Sequence, residues 1–285
     1  MNIQKEIARF NSLGFQYDRG GSMEITTRIG CGVNCRYCPQ DILGIEYSKR
    51  KGATLMKLGD FEKWLVKIPS TVRIDFAGMC EPFLNHQCVD MILSAHEKGY
   101  RIVLYTTLAG LTMEKLTLLK NVSFEIFNIH LADHYGNSHI RVDQPYLDRL
   151  TYVLDNFKVQ IGSHGRIALP VQELLARRGI QFYGNEISGI IHSRAGNVHY
   201  CSDGYKLGKV YCSSSGLQLD RNILLPNGDV LLCCMDYSQE NILGNLNDTT
   251  YEELHRSEVH KDIVTRMLEG KGVLCRKCIV SREFI

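Results

Sequence analysis

The fold of this chain is restricted most by an alternation. Short β-branched and apolar runs, beginning with 23–27 and 72–76, are separated by stretches whose apolar residues recur at helical spacing. Further runs fall at 102–105, 124–130, 159–163 and, more weakly, 187–191. Between them Phe61, Trp64 and Leu65, then Val89, Ile92 and Ala95, then Leu116 and Leu119, then Leu147, Leu150 and Leu154 form stripes that would pack against a sheet. Such alternation marks parallel strands joined by helical crossovers. The predicted class is therefore α/β, six such units curling into a partial (β/α)6 barrel with its chemistry at the carboxyl ends of the strands.

The pattern changes after about Tyr205. Residues 217–225 and 230–234 flank Pro226-Asn227-Gly228-Asp229, whose Asn-Gly pair suits a tight turn needing positive φ, so a β-hairpin is expected. Thr250 with Glu253 makes a capping box that opens a helix to about Met267, carrying Leu254, Val259, Ile263 and Met267 inward. Two modules follow, a partial barrel over 1–204 and a small hairpin-plus-helix unit over 205–285. A length of 285 residues with 44% apolar content can bury both.

Lys and Arg exceed Asp and Glu by only 33 − 31 = 2, and the one basic run, Lys49-Arg50-Lys51, lacks interleaved aromatics; no nucleic-acid partner is expected. Charges at Lys5, Glu6 and Arg9 interrupt the first ten residues, and no later stretch approaches the length of a membrane span, so the expectation is a soluble cytoplasmic protein with no membrane partner. In a reducing compartment, eleven cysteines argue for metal binding or thiol catalysis rather than disulfides.

Directly after the first run comes Cys31-Gly32-Val33-Asn34-Cys35-Arg36-Tyr37-Cys38. Thiolates suit zinc and iron-sulfur clusters, but closed structural zinc needs four ligands, whereas a four-iron cluster held by three leaves one iron open. At these residues the sequence resembles the radical S-adenosylmethionine (AdoMet) superfamily, whose motif is this C-x3-C-x2-C with an aromatic, here Tyr37, before the last cysteine. Phe76-Ala77-Gly78-Met79-Cys80-Glu81-Pro82 is similar to the family's Gly-Gly-Glu-like segment, with Cys80 in place of a frequent glycine. The resemblance implies a [4Fe-4S] cluster on Cys31, Cys35 and Cys38, AdoMet contacts from Tyr37 and Gly78, Glu81 as acceptor for the AdoMet amino group, and Thr106 and Thr107 at its ribose.

The later cysteines include Cys212, Gly228-x4-Cys233 and Cys275-x2-Cys278. Spacing alone leaves structural zinc and a fully ligated four-iron cluster both open. The order is similar to the auxiliary-cluster extension called SPASM in its long form and twitch in its short form, and the short form, with one auxiliary [4Fe-4S] cluster on Cys212, Cys233, Cys275 and Cys278, fits better. Cys234 adjoins Cys233; the Gly-x4-Cys spacing favours Cys233.

A cluster with four protein ligands suits electron transfer, which favours net oxidation of an alcohol carbon, as in the twitch dehydrogenases that the chain resembles in layout. His130 is the leading candidate base, with Asp133, His134 and Glu186 as others, and Arg194, in Ser193-Arg194-Ala195-Gly196-Asn197, is expected to bind a carboxylate or anionic substrate group. The rival reaction is epimerisation, in which a thiol requenches the substrate radical: Cys80, Cys88, Cys201 and Cys234 are spare, Cys80 and Cys201 foremost. Peptide modification is a third reading, weakened because only about twenty residues precede the first strand; a zinc-binding, non-enzymatic scaffold is the fourth. The expected partners are a carbohydrate, cyclitol or nucleotide-sugar substrate and an electron donor such as flavodoxin or ferredoxin.

Overall fold

The structure, a computed structural model, describes residues 3–12, 21–185 and 192–284. Five strands, β1 (Ser22–Ile25), β2 (Arg73–Phe76), β3 (Ile102–Thr106), β4 (Phe124–His130) and β5 (Gln160–Gly162), run parallel in chain order. The weak run at 187–191 and Glu186 lie outside the described residues. Because successive side chains alternate faces, Met23, Ile25, Ile74, Phe76, Ile102 and Leu104 are buried beneath the helices, while Glu24, Asp75 and Tyr105 share the other face.

After the N-terminal helix α1 (Ile3–Ser12), the helices between these strands are α2 (Gln40–Ser48), α3 (Leu58–Leu65), α4 (Cys88–Glu97), α5 (Met113–Leu118) and α6 (Gln144–Asn156), with α7 (Leu169–Arg177) following β5. Their stripes pack as expected: Phe61, Trp64, Val89, Ile92, Ala95, Leu116, Leu119 and Leu150 belong to one apolar core. Side-chain caps start α5 and α6, with Thr112 accepting from Lys115 N and Asp143 from Tyr146 N. A short antiparallel pair, β6 (Gly165–Arg166) with β7 (Gly184–Asn185), flanks α7.

Strand β8 (Val210–Cys212) precedes the expected hairpin, whose strands are β9 (Arg221–Leu224) and β10 (Asp229–Leu231); β11 (Ile242–Asn245) pairs antiparallel with β10. The hairpin is not a separate layer. Strand β9 runs parallel to β1 in the register Ser22↔Arg221 to Ile25↔Leu224, giving one sheet in the order β11-β10-β9-β1-β2-β3-β4-β5. Among the described residues, the sixth parallel strand is thus supplied by the last third of the chain.

The single helix expected from Thr250 to Met267 is two, α8 (Tyr251–Leu254) and α9 (Glu258–Glu269). The Thr250–Glu253 capping box is present, but Ser257 caps a new helix by accepting from His260 N. The restart changes the angular register, so Val259 is 41% exposed while Leu254, Ile263 and Met267 are buried. Strand β12 (Ser281–Glu283) closes back onto β8. No helix among the described residues is long and apolar enough to cross a membrane.

Candidate active site

Segments leaving the carboxyl ends of β1 to β5 converge on a cavity of about 390 Å³. Cys31, Cys35 and Cys38 line it, together with Tyr37, Gly78, Cys80, Glu81, Thr106, Thr107, His130 and Arg194. The cysteine loop is held by short turns, Asn34 N to Cys31 O at 3.2 Å and Cys38 N to Cys35 O at 3.0 Å, and braced from outside where Arg36 N donates to Asn137 O and His139 N to Val33 O, each at 2.8 Å. Asp133 builds that brace: its carboxylate accepts from Tyr135, Asn137 and Ser138 at 2.9–3.1 Å. Burial acts upward on Asp133, but these donors outweigh it and hold the carboxyl below its usual range. Asp133 is therefore a loop organiser.

Glu81 is 5% exposed and fully engaged. One oxygen accepts from Thr106 Oγ1 (2.7 Å) and Phe83 N (3.2 Å), the other from Thr107 N and Thr107 Oγ1 (2.6 Å each). Four donors fill its lone-pair sites, so accepting an ammonium group requires one of them to let go. Burial raises the Glu81 carboxyl and the threonine bonds oppose that rise. The two threonines expected at a ribose thus hold Glu81 in this state. Gly78 adopts φ +57, and a Cβ there would lie 2.6 Å from Thr26 Oγ1 and 2.8 Å from Ile25 C and O, so only glycine lets the segment press against the end of β1. Cys80 Sγ is 3.5 Å from Thr27 Oγ1, and burial pushes its thiol up to about 12.

Across the cavity, Tyr37 Oη lies 3.0 Å from His130 Nε2 and the His164 ring packs edge-on to Tyr37 at 4.1 Å. Burial lowers His130 and His164 each to about 4, so both are neutral near pH 7. Arg194 heads three consecutive residues of positive φ (49, 54 and 93°), a costly backbone for Arg194 and Ala195. Asn197 Nδ2 holds it by donating to Arg194 O (2.8 Å) and Met235 O (3.0 Å). Burial acts downward on the guanidinium, but the field of Tyr237, Cys234, Cys38 and Glu24 outweighs it and raises Arg194. Burial, then Asp75, raises Glu24 to about 7.

The other predicted metal ligands also come together. Cys212, Cys233, Cys275 and Cys278 line a small cavity of about 40 Å³ walled by Leu219, Leu232, Met235 and Leu274. Cys234 does not line it; it acts on Glu24 instead, lowering that carboxyl against the rise from burial. Among the described residues, no three His, Cys, Asp or Glu side chains are close enough to hold a single metal ion. Four thiols around a void fit a group larger than one ion, and burial, which raises Cys233 and Cys275, makes thiolates unfavourable there without a compensating cationic centre. Of the remaining candidates, Cys88 is packed in the core, Cys201 and His134 do not line the first cavity, and His134 N caps Arg166 O.

Three lining residues went unread in the sequence: Gln40, His164 and Tyr237. His164 lies just past β5, where the strand-end rule could have found it, but Tyr237 is 199 residues from Cys38 and carries no local signal.

The partial α/β barrel thus carries two thiol sets, each lining its own cavity. Residues 212–279 match the SPASM family, described as an iron-sulfur cluster-binding domain. No curated protein sequence matches the chain. Among solved structures it is similar to BtrN in complex with AdoMet and 2-DOIA (17% identity, TM-score 0.58, covering 90% of this chain and 89% of that one). It is likewise similar to Streptococcus suis SuiB bound to the precursor peptide SuiA (13%, 0.59, 97% and 73%) and to anSMEcpe with bound AdoMet (14%, 0.53, 90% and 86%). These likenesses show a shared fold, and the SPASM match over residues 212–279 makes the second thiol set part of an iron-sulfur cluster-binding domain. An iron-sulfur cluster is the cofactor that goes with the SPASM match.

Proposed function

We propose that this protein is a radical AdoMet enzyme, a dehydrogenase that oxidises an alcohol carbon of a sugar, cyclitol or nucleotide sugar. The carrying observation is the second thiol set: with Cys212, Cys233, Cys275 and Cys278 around one small void, a four-iron cluster there would have every iron ligated and would serve electron transfer rather than substrate binding. Similarity to BtrN, whose structure holds AdoMet and 2-DOIA, supports the substrate class. In this reading residues 1–204 form the barrel and 205–285 the cluster-binding unit, and eleven free cysteines favour a reducing cytoplasm.

Cys31, Cys35 and Cys38 would hold the first cluster and leave one iron for AdoMet. When bound, these cofactors supply a 5′-deoxyadenosyl radical that removes hydrogen from the substrate carbon. The chain's own residues do the rest. Tyr37, Gly78, Thr106 and Thr107 shape the wall around AdoMet, Glu81 fixes the threonines and could exchange one of them for an ammonium group, and Arg194 offers a cation to a carboxylate or an anionic substrate group. His130, kept neutral by burial, accepts the hydroxyl proton as the carbonyl forms, and Tyr37 orients its Nε2.

Epimerisation is the second reading because Cys80, a protonated thiol on the cavity wall, is placed as a hydrogen donor. The peptide complex of SuiB keeps peptide substrates in the test. Reconstituted protein is expected to carry about eight irons and to release 5′-deoxyadenosine from AdoMet. Cys31→Ala, Cys35→Ala or Cys38→Ala abolishes cleavage, whereas Cys233→Ala loses about half the iron and Cys234→Ala keeps it. With candidate alcohols, a product lighter by two hydrogens, formed one per deoxyadenosine, supports dehydrogenation. An unchanged mass with solvent hydrogen incorporated supports epimerisation and overturns the first reading.

A further inference from the structure

We propose that Tyr237 and Gln40 set the reduction potential of the first cluster by donating hydrogen bonds to the Cys38 thiolate. The inference deepens the reading above and rests on its assignment of Cys38 as a ligand. Cys38 Sγ lies 3.2 Å from Gln40 Nε2 and 3.4 Å from Tyr237 Oη. A metal-bound thiolate has no proton to give, so both contacts run toward sulfur, with the amide N–H and the phenol O–H as donors.

Both donors are fixed independently of the sulfur. Gln40 opens α2, and its Nε2 also donates to Met79 O at 2.6 Å, which sets the amide orientation because an oxygen turned to that carbonyl would be repelled. Tyr237 is 4% exposed and packed with Leu43, Tyr47, Ile223 and Leu231. A phenol ordinarily titrates at about 10, so at neutral pH the hydroxyl has its proton to give. In such a dry setting a hydrogen bond to an anionic sulfur is stronger than in water.

The electron that reduces a thiolate-ligated cluster adds negative charge beside the sulfurs, and a donor aimed at one of them favours the reduced form. Deleting a donor lowers the potential. Tyr237 and Gln40 are thus positioning residues acting through Cys38. Tyr237 also lies four residues beyond Cys233, so the segment that walls the second thiol site carries a donor to the first.

The test is an anaerobic, EPR-monitored redox titration of reconstituted holoprotein, with the first cluster identified by its signal change on adding AdoMet. Tyr237→Phe and Gln40→Met are expected to keep wild-type iron and sulfide and to shift only that cluster. At a fixed potential its reduced-to-oxidised ratio falls about tenfold, equivalent to about 59 mV for one electron. Full iron with an unchanged potential in both variants overturns the proposal. So does loss of first-site iron in both, which would make the contacts a structural brace. A first-cluster signal surviving in Cys38→Ala would overturn the ligand assignment itself, and the proposal with it.

Discussion

Glu81 shows how a single side chain organises the cavity. Its two oxygens collect donors from the segment after β2 and from the end of β3, so one buried carboxylate ties two strand ends together. Thr107→Val removes the hydroxyl donor but keeps the shape and the backbone N–H. We expect a loss of about 1–3 kcal/mol in stability, read from urea midpoints. An unchanged midpoint would show that the Thr107 hydroxyl is replaceable by water. At this scale the sequence was informative where chemistry is local: the three cysteines, Glu81 and the threonine pair are read from a few neighbouring letters. It was silent where function comes from distant packing, as with Tyr237 against Cys38, or where a resemblance names a contact before a fold has chosen one, as with the threonines on Glu81.

Among the elements, the turn between β2 and Glu81 is tightly specified. Gly78→Ala places a methyl against the Ile25 backbone and forces an L-residue to φ +57. The backbone term alone is about 1–2 kcal/mol, and relief of the clash must move Cys80 and Glu81. AdoMet affinity measured calorimetrically should fall at least about tenfold, about 1.4 kcal/mol; wild-type affinity would show that the turn tolerates displacement. Strand positions were legible because buried parallel strands are short apolar runs, and 124–130 matches β4 to the residue. The break between α8 and α9 was not, because apolar periodicity spans it, although Ser257 before Glu258 carried a second capping signal.

For the molecule as a whole, buried histidines make stability depend on pH. His255 and His260 meet edge to face at 5.3 Å beside Gln218, and burial, reinforced by its neighbour, lowers His255 to about 4. Unfolded histidine titrates near 6.5. Between those values the unfolded chain binds a proton that the folded chain does not, so the pair's contribution is complete above about 6.5 and is lost as pH falls toward 4. Glu24 works in the opposite sense: raised to about 7, it favours the folded state at low pH and loses that contribution as pH rises to 7. Comparison with a variant isolates the histidine part: relative to wild type, His255→Phe should gain melting temperature progressively from pH 6.5 to 4.5. A constant offset across that range would mean that His255 does not titrate between the two states. The barrel class was legible at this scale, but the hairpin signal specifies only the pairing of β9 with β10 and says nothing of what β9 meets on its other side. The run Asn222-Ile223-Leu224-Leu225, all buried, is the trace such a doubly flanked strand leaves in sequence.

That other side is β1, and the pairing has a consequence for how the protein comes into being. Nearly two hundred residues separate Ile25 from its partner Leu224. During synthesis, therefore, β1 leaves the ribosome long before the strand that covers its outer edge. Until then its backbone donors and acceptors stand bare beside Met23 and Ile25, the arrangement most prone to pair with another nascent chain. Closure costs a large loop and comes late. The three-cysteine loop hangs directly from β1, so the same late event that completes the sheet also sets the earliest moment at which the first thiol site can take its final shape.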